Sequence, residues 1–241
     1  MPAAWRIWLT QWEMLGRQEE TEMTIEEFRK RVEDDPEWAP GWEIIDKEFE
    51  RLYPGVKPGH YATDMASRAV FGGNNYLDGF SIYPSPKGYK HIVTYGMTQL
   101  YANEKALGGE WSKWGYEMTI KLREETDEAC MWAIDMMLNL ARYTYTQERF
   151  FDPFEYVSGG GKSLHTGVES DITALLTIAD TEAQTQDTLY GKTQFIQLVG
   201  ITESELQALI KDHDNAYKLY DLMKKDNPDF VTDMKRTKSY L

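Results

Sequence analysis

The stretch Trp114-Gly-Tyr-Glu-Met-Thr-Ile-Lys-Leu122 decides the fold class. Trp114, Tyr116, Met118, Ile120 and Leu122 occupy alternate positions, with Gly115, Glu117, Thr119 and Lys121 between them. Successive side chains of a strand point to opposite faces, so this pattern predicts a half-buried strand, apolar inside and polar outside. Upstream, Phe80 and Ile82 alternate with Gly79, Ser81 and Tyr83, and His91, Val93 and Tyr95 alternate with Lys90, Ile92 and Thr94. Downstream, Ile172 to Ala179 and Lys192 to Val199 read as two more strands, and Phe230-Val-Thr-Asp233 as a short final one.

The flanks of this period-2 region are helical. Thr24-Ile-Glu-Glu27 is a capping box, followed by the stripe Ile25, Phe28 and Val32. Pro40 and Gly41 open a second helix with Trp42, Ile45, Phe49 and Leu52 on one face, and Tyr53-Pro-Gly55 stops it. Asp127 is placed to cap a long helix from Glu128 to Tyr145, with Cys130, Ile134, Met137, Leu138, Ala141 and Tyr145 on its apolar side. Phe150-Phe-Asp-Pro153 breaks it, and Ser158-Gly-Gly-Gly161 is a loop. Thr202-Glu-Ser-Glu205 is another capping box, opening a helix with Leu206, Leu209 and Ile210, and Asn215 to Lys225 reads as the last helix. Phe71-Gly-Gly-Asn-Asn75 and Leu107-Gly-Gly109 carry turn chemistry. Helices and strands interleave without regular βαβ units. The expected class is therefore α+β, a mixed, mainly antiparallel sheet flanked by helices.

Residues 1–22 stand apart. Trp5, Trp8, Leu9 and Trp12 form one helical stripe, opposite Arg6, Thr10, Gln11 and Glu13. The expected organisation is an N-terminal amphipathic extension over 1–35 and one domain over 36–241. Met1, Met14 and Met23 are each candidate starts.

Composition narrows the function classes. With 26 Lys+Arg against 40 Asp+Glu, the formal charge is −14. Such a balance opposes binding to nucleic acid or anionic membranes. One cysteine excludes an intrachain disulfide, no apolar run reaches membrane-spanning length, and the first 20 residues lack a signal-like apolar segment. A cytoplasmic protein is expected. Aromatic residues reach 13%, a signature either of a ring-filled core or of a contact surface.

Motifs for catalysis are missing. His60, His91, His165 and His213 occur singly, with no HxxxH and no CxxC, so no metal site is expected. Gly161-Lys-Ser163 looks like the end of a phosphate-binding loop, but Tyr156 stands where its first glycine belongs. Cys130 falls on an apolar helix side, the place of a core thiol rather than a nucleophile. There is no GxSxG elbow. No catalytic residue and no cofactor are expected.

Several strings together resemble the suppressor of fused (Sufu) family. They are Phe71-Gly-Gly-Asn-Asn-Tyr-Leu-Asp78 with Phe80-Ser-Ile-Tyr83, His91-Ile-Val-Thr-Tyr-Gly-Met-Thr-Gln-Leu-Tyr101, Trp114 to Arg123, Leu140-Ala-Arg-Tyr143, Phe195-Ile-Gln-Leu-Val-Gly200 with Thr202-Glu-Ser-Glu-Leu206, and Val231-Thr-Asp-Met-Lys-Arg236. They keep the family's order from about Trp42 to Arg236. The resemblance implies the fold of the Sufu N-terminal domain and a non-enzymatic, protein-binding function. The animal member clamps an extended Gli peptide between two domains, partly by strand addition, and this chain resembles only the first.

By match with that member, the partner-binding positions are Tyr143, Glu155 and Tyr156. Tyr143 is identical to the family's residue, Glu155 replaces an aspartate and Tyr156 a histidine. A carboxylate there suits a cationic or histidine-bearing partner. The plainer reading is a helix-end tyrosine and a solvated loop glutamate. The match also gives Phe71-Gly-Gly73, Leu77, Asp78, Thr232 and Asp233 structural roles, with Asp78 and Asp233 accepting turn N–H groups.

Single-domain relatives resemble bacterial Sufu-like proteins, some thought to be immunity proteins that neutralise toxins by direct binding. The partner expected on this reading is a protein or peptide, most sharply a basic toxin domain steered by charge. Two alternatives stay open: an enzyme whose pocket no motif reveals, and a structural protein that self-associates through its Trp-rich N-terminal stripe.

Overall fold

A computed structural model describes residues 23–63 and 76–241. The Trp5–Trp12 stripe and the Phe71–Asn75 turn lie outside the described residues. The chain divides into two compact units, ending at Trp38 and starting at Ala39. In the first, α1 (Ile25–Asp34) starts at the expected capping box: Thr24 Oγ1 accepts from Glu27 N, and Glu27 Oε2 accepts from Thr24 N at 2.8 Å. Phe28 packs on Trp38 with ring centroids 5.4 Å apart, while Ile25 of the expected stripe stays exposed.

The second unit holds all the strands. In chain order it runs α2 (Pro40–Leu52), β1 (Gly59–Ala62), β2 (Gly79–Ser85), β3 (Tyr89–Tyr95), β4 (Trp111–Leu122), α3 (Met131–Gln147), β5 (Tyr156–Ser158), β6 (Ile172–Ala179), β7 (Gln186–Thr188), β8 (Gly191–Thr202), α4 (Glu203–Lys211) and α5 (Asn215–Asp226). One sheet has the order β1-β2-β3-β4-β8-β6-β5, with β7 pairing the start of β8. Only β4 and β8 run parallel; every other ladder is antiparallel, as the α+β reading expects. β4 and β8 bring the strings at 114–122 and 195–200 side by side, Met118 opposite Ile196 and Ile120 opposite Leu198.

Both faces of this sheet are covered. Tyr116, Met118, Ile120, Leu122, Ile196 and Leu198 pack under α3 with Ile134, Met137 and Ala141. On the opposite face Ile45 and Phe49 of α2 meet Val93, Tyr95 and Phe195. Farther along that face, Leu206 of α4 and Leu219 and Met223 of α5 meet Leu176, Val199 and Ile201. Each fully buried Leu, Ile or Met contributes roughly 1.5–3 kcal/mol. Close packing also fixes one glycine: a Cβ on Gly200 would lie 2.6 Å from Ile172 Cγ2 and 2.7 Å from Thr232 Cγ2.

Three expectations are corrected. The polar side of β4 does not face water: Glu117, Thr119 and Lys121 are wholly buried. Alternation gives the period of a strand, but a second layer of helices decides whether the other face is wet. Asp127 does not cap the long helix. Its carboxylate accepts from Lys90 Nζ at 2.8 Å and Tyr61 OH at 3.2 Å, while a 3-10 turn, Glu128–Cys130, leads into α3. Phe230–Asp233 is not a strand but a single bridge from Thr232 to Leu122. Asn227 holds Val231 through both backbone groups, at 3.0 and 2.9 Å, so those groups are unavailable for a ladder. Other readings hold. Cys130 is buried under α3, and Thr202 with Glu205 forms the second capping box. Asp233 Oδ1 accepts from Lys235 N at 2.9 Å.

Candidate peptide-binding edge

Among the described residues, β5 pairs with β6 and ends the strand order, so its outer side is an open edge. Thr177 N donates to Glu155 O at 2.9 Å and Gly159 N donates to Thr173 O at 2.8 Å, which puts residues 155, 157 and 159 in the inward-bonded positions. Antiparallel alternation then leaves the backbone N–H and C=O of Tyr156 and Ser158 on the open side. An unpaired strand edge is a template for another strand.

The sequence-derived residues gather at the start of this edge. Tyr143 stands exposed on the last turns of α3, its ring stacked on Phe151 at 6.0 Å. Phe151 is anchored in turn against Tyr116, whose hydroxyl pairs with Thr144 Oγ1 at 2.8 Å. Glu155 immediately precedes β5 and is half-buried. Its Oε2 accepts from Asp152 N at 3.1 Å. Phe151 and Asp152 thus link Tyr143 to Glu155 along a short turn. Tyr156 sits on the other face of the sheet, against the α4–α5 core and 6.2 Å from the His213 ring. Two of the three residues therefore flank one side of the edge and the third flanks the other.

Sequence reasoning missed the surfaces beside them. On the α5 side, Phe154 packs on exposed Tyr217 at 4.4 Å and on Tyr220 at 5.5 Å. On the α3 side, a cavity of about 640 Å³ runs along β5, with Trp132, Met136 and Leu140 from α3, Val157 from β5, and Leu164 and His165 from the following loop among its lining. Trp132 and His165 stack at 5.2 Å. Trp132 Nε1 is the one buried side-chain polar atom among the described residues without a hydrogen-bond partner. The 13% aromatic content was the only signal for these surfaces.

A second polar cluster lies on the face of the sheet that carries α2. His91 Nε2 pairs with Asp180 Oδ2 at 2.9 Å, and His91 Nδ1 with Tyr53 OH at 2.8 Å. Lys121 Nζ lies 2.9 Å from Glu182 Oε2 and 3.4 Å from Asp180 Oδ1. Thr119 Oγ1 donates to Asp180 at 2.6 Å, and Tyr89 and Lys87 both donate to Glu182. Burial alone would raise the pKa of both carboxyls, but His91 and Lys121 hold Asp180 far below its ordinary value. Lys87, Tyr89 and Lys121 hold Glu182 down to about 2. His91, Lys121 and Asp180 have wholly buried side chains, so this Asp–His pair ties β3 to the end of β6 inside the fold. Burial pushes the Cys130 thiol up to about 12, the direction of a core thiol. Among the described residues no group of three His, Cys, Asp or Glu side chains is arranged to hold a metal, and no helix is long and apolar enough to cross a membrane.

Comparison with known proteins follows this geometry. Residues 73–237 match the family described as Suppressor of fused protein (SUFU). The chain is 29% identical over 216 residues to the suppressor of fused homologs of Homo sapiens and Mus musculus, covering 81% of this chain. It spans 43% of the length of those relatives. Among solved structures, Drosophila Suppressor of Fused superimposes with a TM-score of 0.70 at 22% identity, covering 84% of this chain and 51% of that one. A chain of the Sufu–Fu complex gives the same TM-score and identity, covering 84% of this chain and 93% of its own length. A SUFU homolog from Neisseria gonorrhoeae gives 0.56 at 15% identity, covering 83% and 97%.

Proposed function

The chain belongs to the suppressor of fused family, and from that membership we propose that it is a non-enzymatic protein-binding module that captures an extended segment of its partner by adding it as a strand to β5. The open edge at Tyr156 and Ser158, with Tyr143 and Glu155 at its start, carries this reading. In strand addition, backbone hydrogen bonds give affinity and flanking pockets give specificity. The cavity beside Val157 receives side chains on one face of the added strand, and Trp132 Nε1 offers a donor there. Tyr143 and Phe150 supply exposed rings. The Sufu–Fu complex shows that a relative binds a protein.

The finer reading is a cytoplasmic immunity protein acting on a basic toxin domain. The net charge of −14 supports a cationic partner, because complementary charge speeds encounter. Affinity capture from the native host tests both levels. Ser158→Pro removes an outward N–H and keeps the bonds made by Val157. Tyr143→Ala with Glu155→Lys alters the start of the edge. One stoichiometric partner lost in both variants supports the edge. A partner that survives both overturns this face. A partner that is not a basic protein overturns the toxin reading alone.

A further inference from the structure

At the opposite end of the strand order, α2, β1 and β2 border a second, open cavity of about 490 Å³. Trp42 lines it. Tyr95 covers one face of the indole, ring to ring at 4.3 Å and 19°, and His60 meets it edge-on at 5.3 Å. Asp46 and Glu50 of α2, with Tyr83 of β2, complete the wall.

A directed chain of hydrogen bonds underlies this cavity. Tyr95 OH donates to Asp46 Oδ1 at 2.8 Å. A phenol has one proton, so its oxygen accepts the Ser81 hydroxyl at 3.2 Å. With that proton committed, Ser81 Oγ accepts from His60 Nδ1–H at 2.9 Å. Ser81 and Tyr95 are almost wholly buried, and the Tyr83 hydroxyl lies within hydrogen-bond reach of both. In this arrangement neutral His60 is the Nδ1–H tautomer, with its Nε2 lone pair outside the chain.

What remains for a ligand is a set of acceptors. Asp46 Oδ2 and His60 Nε2 lie outside the chain. Glu50 contributes a carboxylate whose Oε1 accepts from Gly55 N at 2.8 Å. Both side chains remain partly open to solvent; partial desolvation lowers the His60 pKa, which favours the neutral, accepting ring, and raises that of Asp46. Lys47 is the one cation of the lining, against two carboxylates. Acceptors around an aromatic ring select a planar cation with several N–H donors, and a guanidinium matches this better than a compact, strongly hydrated ammonium. We propose that this cavity binds the guanidinium of an arginine side chain, as a second contact point independent of β5.

The test is an NMR titration of the intact 15N-labelled chain with Nα-acetylarginine N-methylamide, reading the Trp42 indole N–H assigned by Trp42→Phe. A saturable shift is expected, with no shift from the neutral citrulline analogue. Asp46→Asn keeps the acceptor for Tyr95 and should weaken binding about tenfold. Glu50→Gln, on an exposed helix face, should weaken it about threefold. No saturation with the arginine probe, an equal response to citrulline, or an unchanged affinity in both variants overturns the proposal. Tighter binding of the lysine analogue overturns the guanidinium preference.

Discussion

The buried seam around Asp180 and the open edge at β5 invert the usual division of residue types. In the seam, an aspartate, a histidine and a lysine are fully enclosed and joined to one another. At the edge, Tyr143, Phe150 and Tyr217 are more than 40% exposed. Burying charge is costly unless every charge is paired, and the seam meets that condition. Exposed aromatic rings beside an unpaired strand keep apolar surface in water, and the proposed strand addition would cover it. In the seam, buried charge holds the fold; at the edge, aromatic surface stays exposed.

The largest test breaks the seam. Asp180→Ala leaves His91 buried without its carboxylate and Lys121 with Glu182 alone, and should cost about 3–5 kcal/mol, read as a lowered urea midpoint. Stability within about 1 kcal/mol of the parent chain would show that the seam does not hold the fold. Acid probes the same region. Asp180 and Glu182 have folded pKa values below their ordinary values, so their contribution is complete above about pH 5 and is lost as pH falls toward the depressed values. The melting temperature should therefore drop steeply below about pH 4.5, and Glu182→Gln should flatten that drop.

The edge should respond in the opposite way. Tyr143→Ala should change stability by less than about 0.5 kcal/mol and weaken the captured partner by about 2 kcal/mol, read by calorimetry on the purified pair. A large loss of stability would return Tyr143 to the fold. Trp132→Phe is the smallest change. It keeps a ring to stack on His165 and removes a buried donor that lacks a partner among the described residues, so stability should hold or rise by up to about 1 kcal/mol. Partner affinity falls if the donor is used, and constant affinity removes Nε1 from the interface.

Legibility followed the range of the interactions. The capping boxes at Thr24 and Thr202 involve residues three apart and were readable with their helices. The α2 stripe was equally local: Ile45 and Phe49 are buried as the spacing expects. His91 and Asp180 are 89 positions apart and nothing in the chain announces their pairing. The structure gave Glu205 a task beyond its local one, because Arg236 donates to its two oxygens at 2.8 and 2.9 Å across 31 positions. At the candidate edge, the family resemblance supplied Tyr143, Glu155 and Tyr156. β5 itself is only three residues long, too short to leave a periodic signal.

By itself the sequence determined the types of the helices and of the longer strands, the α+β class and the family, because periodicity and capping are properties of neighbours along the chain. Only the tertiary structure decided that the polar side of β4 is dry, that β5 is an edge, and that Tyr143 and Tyr156 flank opposite faces of it. Those facts depend on which layer covers a sheet face and which strand lies last in the order. Both are set by contacts between residues far apart in sequence, and local pattern carries no record of them.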